Sequence, residues 1–146
     1  MDYLLFDPGD AKGGYVNLHD VPRYLFRLYD ATSTGTTNAD MVISHAATQT
    51  TKPTFGQKDL FSMPPSEAAD LLNQHLQWDF RHDTRDNLMS WSTSLLFVLQ
   101  YGLFRSVKER CGQSELSEIF LCIVDTRDFL PGTFLQDLPL IKTYQN

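Results

Sequence analysis

The chain of 146 residues is long enough for one hydrophobic core, and its 42% hydrophobic and 21% charged residues are typical of a single globular domain over residues 1–146. A net charge of -6 and scattered Lys and Arg residues exclude the basic stripe of a nucleic-acid-binding surface. The acidic start, with a short apolar run over residues 3–6, and only two cysteines predict no signal peptide, no membrane span and no disulfide scaffold, so we expect an intracellular, cytoplasmic protein.

The first predicted strand covers residues 24–30, "YLFRLYD", where aromatic and branched residues crowd a short segment. Side chains alternate across a strand, so Leu25, Arg27 and Tyr29 share one face. An arginine between apolar neighbours requires a carboxylate, a phosphate or a water-filled cleft. The structural alternative is an arginine at a strand edge that extends to solvent, and the pattern leaves both open.

A short second strand is predicted over residues 41–44, after the polar loop 31–40. The following residues, 45–65, read as a long irregular connection, of the kind that tends to be functional or mobile. A helix is predicted to begin near Ser66, as N-cap behind two prolines, and to run through "EAADLLNQHLQW".

The second predicted helix, Leu95–Val107, is apolar nearly all round, which is typical of a buried helix packed against a sheet. Cys111 and Gly112 are expected to end it, with the glycine beyond the last helical residue. Three hydroxyl residues stand directly before this helix: Ser92, Thr93 and Ser94. They are a helix cap, the floor of a ligand site, or both.

An uninterrupted apolar run over residues 119–126 predicts a strand covered on both faces. The tail is rich in turn residues, so the last predicted strand, around residues 138–144, is short and lies at an edge. Together these elements predict an α+β fold with a small split or mixed β-sheet and packed helices.

The sequence lacks the common cofactor signatures. Its early glycines precede a strand, so neither a dinucleotide fingerprint nor a P-loop is present. The cluster of His75, Asp79, His82 and Asp83 is interpreted as a solvated helix end and a polar loop rather than a metal site, because no third ligand has a defined spacing.

The arginine strand "LFRLYD" followed by the helix entry "SWSTSLLFVLQYG" resembles the ADP-ribosyltransferase superfamily of the Arg/Ser/Glu class. More narrowly, "YLFRLYD", "HLQW", "NLMSWSTSLLFVLQYG" and "FLCIVDT" are similar to a domain family of filamentous fungi that itself looks ADP-ribosyltransferase-like. The similarity covers residues 21–139. It implies an ADP-ribosyltransferase-like fold whose split sheet clamps NAD+ in a cleft.

The resemblance also implies roles for individual residues. Arg27 would hold a phosphate or ribose of NAD+, and Tyr29 would line the cleft. Ser92 would contact the nicotinamide-side ribose and orient the catalytic carboxylate. Thr93 and Ser94 would support the strand end and cap the helix.

One departure from the family pattern concerns the catalytic glutamate, which should follow the "IVDT" strand. After Glu118 the sequence holds no glutamate, and its carboxylates are Asp125, Asp128 and Asp137. Either the chain is a truncated form without its last catalytic strand, or it keeps the fold and has lost the transfer reaction. Three functions stay open: an inactive NAD+-binding domain, an active transferase or NAD glycohydrolase, and a non-catalytic module of a defence, effector or signalling protein that binds a protein partner.

Overall fold

The computed structural model describes residues 5–9, 15–48, 58–77, 87–107 and 114–145. The strands are β1 (Tyr24–Tyr29), β2 (Thr36–Thr37), β3 (Val42–Ile43) and β4 (Phe120–Asp125). The helices are α1 (His45–Thr48), α2 (Pro65–Leu76), α3 (Leu95–Val107) and α4 (Asp137–Tyr144). Short 3-10 turns cover Leu60–Ser62, Leu116–Glu118 and Thr126–Asp128.

The described strands form two small antiparallel pairs. Strand β1 pairs with β4, from Tyr24 opposite Asp125 to Tyr29 opposite Phe120, and β2 pairs with β3 as a separate hairpin. The α+β class and the strands predicted over 24–30, 41–44 and 119–126 are confirmed. Within the described residues the sheet is split rather than mixed. Strand β2 lies inside the segment that the sequence predicted to be a loop.

The second edge of β1 is occupied by the hydroxyl motif. Phe26 and Ser92 exchange two backbone hydrogen bonds of 2.8 Å each, as an isolated antiparallel bridge. The chain then turns directly into α3. The motif therefore extends the sheet by one residue before the helix begins.

The main core lies between α2, the first 3-10 turn and α4. Its buried members are Val16, Leu60, Phe61, Met63, Ala68, Leu72 and Leu140. Helix α2 begins at Pro65, so the predicted N-cap at Ser66 is wrong. Pro65 fits the first helical turn because its fixed φ is already helical and its missing N–H would have had no partner there.

The strand predicted over residues 138–144 is also wrong, because this segment is helix α4. Pro139 lies in the first turn, where the backbone needs no donor. Leu140 and Tyr144, one helical turn apart, then face the same core: Leu140 is buried, and the Tyr144 ring stacks on Phe61 at 6.3 Å. Packing has overridden the local turn signals.

Helix α3 packs on β1, as predicted. A side chain at Gly102 would place its Cβ 3.0 Å from Leu28 Cδ1, so this glycine permits the close approach. The prediction that α3 is buried all round is wrong, because only Val98 and Gly102 are buried in this helix. Strand β4 is likewise not covered on both faces, since Phe120 and Ile123 are more than half exposed.

Three further predictions concern the helix ends and the membrane. Cys111 and Gly112, expected to end α3, lie outside the described residues. Most of the polar segment that follows α2 also lies outside them. Among the helices that the structure describes, none combines the length and apolar character needed to cross a membrane.

Candidate functional site

Arg27 occupies the middle of β1, directly opposite Cys122 of β4. Its half-buried guanidinium donates from Nη1 to the backbone carbonyl of Ser90 at 2.9 Å. A longer bond of 3.4 Å runs from Nε to Thr37 Oγ1 in the β2–β3 hairpin. The side chain is thus held between the two small sheets and the segment that leads into α3.

Among the residues that the structure describes, the guanidinium of Arg27 contacts only uncharged acceptors. Among the described residues, no carboxylate lies within ion-pair distance of it. Burial lowers the pKa of the guanidinium most, Cys122 opposes this shift, and the charge of Arg105 adds to it; the arginine stays protonated at neutral pH. Within the same residues Nη2 makes no hydrogen bond, and no fully buried side-chain nitrogen lacks a partner, so Nη2 is not fully buried. A partly desolvated cation with an open donor is suited to bind an anion.

The helix entry performs the capping that the sequence suggested. Ser94 Oγ accepts a hydrogen bond from the Phe97 backbone N–H at 3.2 Å, which is N-cap geometry. Ser92 Oγ accepts from the Ser94 backbone N–H at 3.1 Å. Thr93 is exposed. Both serine hydroxyls therefore stabilise the turn into α3.

The strand register separates Ser92 from Arg27. Directly opposed residues of an antiparallel pair project to the same face, so Ser92 projects with Phe26 toward the side covered by α3. Arg27 and Tyr29 project to the other face. The structure thus brings the backbone of the hydroxyl motif next to β1, and it directs the Arg27 and Ser92 side chains apart. The ribose-binding role of Ser92 stays a prediction.

Two residues of the site were missed by sequence reasoning. Ser90 supplies the carbonyl that Arg27 contacts, and its Oγ lies 2.8 Å from His75 Nε2 at the end of α2. Thr37 lies in β2, inside the segment that the sequence predicts to be a loop. Ser90 belongs to the polar stretch that precedes α3, which was a signal, whereas nothing in the local sequence around Thr37 indicates the contact.

A second charged cluster lies at the end of β1. The Asp30 side chain is fully buried, and its Oδ2 lies 2.8 Å from Arg105 Nη2 and accepts from Ser114 Oγ at 2.9 Å. Its Oδ1 accepts from the Thr32 backbone and hydroxyl at 2.9 and 2.8 Å. Burial raises the pKa of Asp30, but the bonds from Thr32 and Ser114 and the charge of Arg105 outweigh it and lower the pKa. Asp30 therefore balances the charge of Arg105 and forms no ion pair with Arg27.

Two of the three aspartates that could replace the expected glutamate, Asp125 and Asp137, are engaged elsewhere. Asp125 Oδ2 is paired with Arg23 at 3.0 Å and Arg127 at 2.9 Å. Hydrogen bonds from Arg127 hold the pKa of Asp125 well below its usual range, and the bond from Arg23 adds to this effect. Desolvation opposes the shift but is weaker. Its pairing opposite Tyr24 places it on the face away from Arg27. Asp137 Oδ1 accepts from the Leu138 backbone at 2.8 Å at the start of α4.

In the described ranges, no group of three His, Cys, Asp or Glu side chains could hold a metal ion. Asp79, His82 and Asp83, considered together with His75 from the sequence, lie outside these ranges.

Comparison with known proteins identifies one family. The model of the family described as "Domain of unknown function (DUF7587)" matches residues 20–146, and the chain belongs to that family. No curated protein and no solved structure matches it significantly. The matched region includes β1, the hydroxyl motif, α3 and β4, and therefore every residue of the Arg27 site.

Proposed function

We propose that this family member binds an anionic nucleotide on the Arg27 face of its small sheet and does not transfer ADP-ribose. The observation that carries the proposal is the half-buried guanidinium held by uncharged acceptors. The resemblance to ADP-ribosyltransferases names NAD+ as the ligand. Membership of this family does not by itself indicate an activity.

The hydrogen bonds of Arg27 to Ser90 and Thr37 link separate segments of the fold, but they do not require a charged donor. A desolvated charge without a carboxylate costs free energy, and an apolar side chain of similar length would fill the same space without that cost. A phosphate would compensate the charge, because its oxygens match the planar fork of a guanidinium in two parallel hydrogen bonds. Function at the expense of stability is a common property of binding sites.

An aromatic surface lies beside the guanidinium. Tyr29 projects to the same face as Arg27, two residues along β1 and roughly 7 Å away. Its ring stacks on that of Phe120 at 5.5 Å, and Phe120 is more than half exposed. A cation next to an aromatic platform suits a ligand that carries both a phosphate and a base.

Binding of NAD+ should depend on Arg27 in particular. Replacing Arg27 with methionine is expected to weaken NAD+ binding by about 10- to 100-fold, because a hydrogen bond to a charged group contributes roughly 1.5–3 kcal/mol. Isothermal titration calorimetry measures the effect. Arg23→Met is the matched control: it removes the same charge from a half-exposed ion pair and should bind NAD+ like the wild type.

Two results of this titration would contradict the proposal. One is the absence of heat and of any thermal shift with millimolar NAD+, which would favour the protein-interaction module instead. The other is equal weakening in the Arg23 and Arg27 variants, which would indicate attraction by net charge alone. We further expect pyrophosphate to compete with NAD+ and nicotinamide not to compete.

Turnover of NAD+ is expected to be undetectable. As nicotinamide leaves, the developing positive charge on the ribose needs a carboxylate aimed at it, and Asp125 is neutralised by two arginines on the opposite face. Incubation with labelled NAD+, followed by measurement of released nicotinamide and labelled protein, tests this expectation. Robust turnover that is lost in Asp125→Asn or Asp137→Asn would show that an aspartate has taken the catalytic role.

A further inference from the structure

The outward face of α3 is apolar along its whole length. Its large side chains range in exposure from 46% at Phe104 to 78% at Val107. The members of this apolar face are Leu96, Phe97, Leu99, Leu103, Phe104 and Val107. At 100° per residue all of them except Leu99 lie opposite the buried Val98 and Gly102, and Leu99 lies at the edge of the face. Gln100 lies within this face and is its one polar residue.

The area of the apolar face is close to that of a protein interface. Six leucine, phenylalanine and valine side chains, about half exposed, present roughly 600–700 Å² of apolar surface. The largest apolar patch on a typical monomer is about 300–600 Å², whereas a stable interface buries about 800 Å² on each partner. One helix face thus supplies most of the area that a stable dimer needs.

We propose that the apolar face of α3 binds the same face of a second copy of this chain, with the two helices antiparallel about a two-fold axis. A face without charged side chains is complementary to itself, and two-fold dimers are the commonest oligomers. The apolar residues that make α3 look like a fully buried helix are then covered by the partner subunit rather than by the same chain.

The position of Gln100 fixes the register. Helix α3 has 13 residues, and Gln100 lies next to its midpoint. An axis through Gln100 places it opposite Gln100 of the partner subunit, where two amides can exchange hydrogen bonds. The same axis places Leu96 opposite the partner subunit's Phe104. A single polar pair in an apolar seam is a common device for specifying register.

A membrane surface suits this face less well. Helices that lie on membranes carry Lys and Arg along their polar side, and the basic residue on the inner side of α3, Arg105, is paired with Asp30. The net charge of -6 would also oppose anionic headgroups. Because α3 covers the face of β1 opposite Arg27, a dimer of this kind leaves the proposed nucleotide site open, and the two proposals are independent.

Analytical ultracentrifugation tests the dimer. At micromolar concentration we expect twice the 16.7 kDa mass of one chain. Leu103→Glu should raise the dissociation constant of the dimer at least about 30-fold, because it places a charge in the centre of the seam. Leu138→Glu is the matched control, since Leu138 is similarly exposed but belongs to α4. Circular dichroism should show all three proteins folded.

Cysteine cross-linking tests the register. With Cys111 and Cys122 replaced by alanine, Gln100→Cys should oxidise to a disulfide-linked dimer, and Glu67→Cys, exposed on α2, should not. A monomeric mass for the wild type would overturn the proposal, including the case in which that monomer binds anionic vesicles. A dimer that withstands Leu103→Glu, or equal cross-linking at Glu67→Cys, would overturn the assignment to α3.

Discussion

Replacing Arg105 with methionine is expected to lower the free energy of unfolding by about 3–5 kcal/mol at neutral pH. The variant would leave the fully buried carboxylate of Asp30 without the cation that now lies 2.8 Å away. The hydroxyls of Thr32 and Ser114 would remain, but they carry no charge. Urea unfolding monitored by circular dichroism measures the loss.

An exposed ion pair provides the control. Arg127→Met removes a largely exposed arginine from Asp125, which keeps Arg23, so the unfolding midpoint should hardly change. The double variant Asp30→Asn with Arg105→Met should lose less than the sum of its single variants, because both members of one pair are removed together. An effect of Arg105→Met no larger than that of Arg127→Met would contradict the assignment of Asp30 as a buried charge.

Substituting alanine for Gly35 is expected to destabilise the protein by about 2–4 kcal/mol. Gly35 has a φ of +74°, and an added Cβ would overlap with the carbonyl oxygen of Ile43. Because that neighbour is backbone, the β2–β3 hairpin would have to move. Thr37, which accepts from Arg27, would move with it.

Substitution of Gly9 separates the cost of the positive φ from the cost of the overlap with Ile43. Gly9 also has a positive φ, of +57°, but an added Cβ would meet nothing within 4 Å. Gly9→Ala should therefore show only the conformational penalty, roughly 1 kcal/mol. Thermal and urea unfolding of both variants make the comparison, and equal losses would show that contact with Ile43 is not the cause.

Local pattern was sufficient for the elements whose residues carry their own signals. Strand β1 and helix α3 agree with prediction because the aromatic and leucine residues of the strand, and the apolar length and serine cap of the helix, all act within a few residues. Helix α4 was missed because its residues read as a turn-rich tail, and packing of Leu140 and Tyr144 on a distant turn decides its conformation. Burial was overestimated for α3 because an apolar run does not specify what covers it.

The candidate site divides in the same way. Arg27 was identifiable because a charged side chain in an apolar strand needs a compensating partner or solvent in any fold. The contacts of Arg27 with Ser90 and Thr37 were not, since they depend on how distant segments meet. The face of Ser92 depends on its register with Phe26, and a shift of one residue would reverse it.

The most direct test of the nucleotide site is heteronuclear NMR of the isotope-labelled protein titrated with NAD+. Binding on the Arg27 face predicts the largest shifts at the Arg27 side chain and at the backbone amides of Tyr29, Thr37 and Ser90. The amide of Arg127, beside the surface pair with Asp125, should stay unchanged. Shifts centred on Asp125, or none with millimolar NAD+, would contradict a nucleotide site at Arg27.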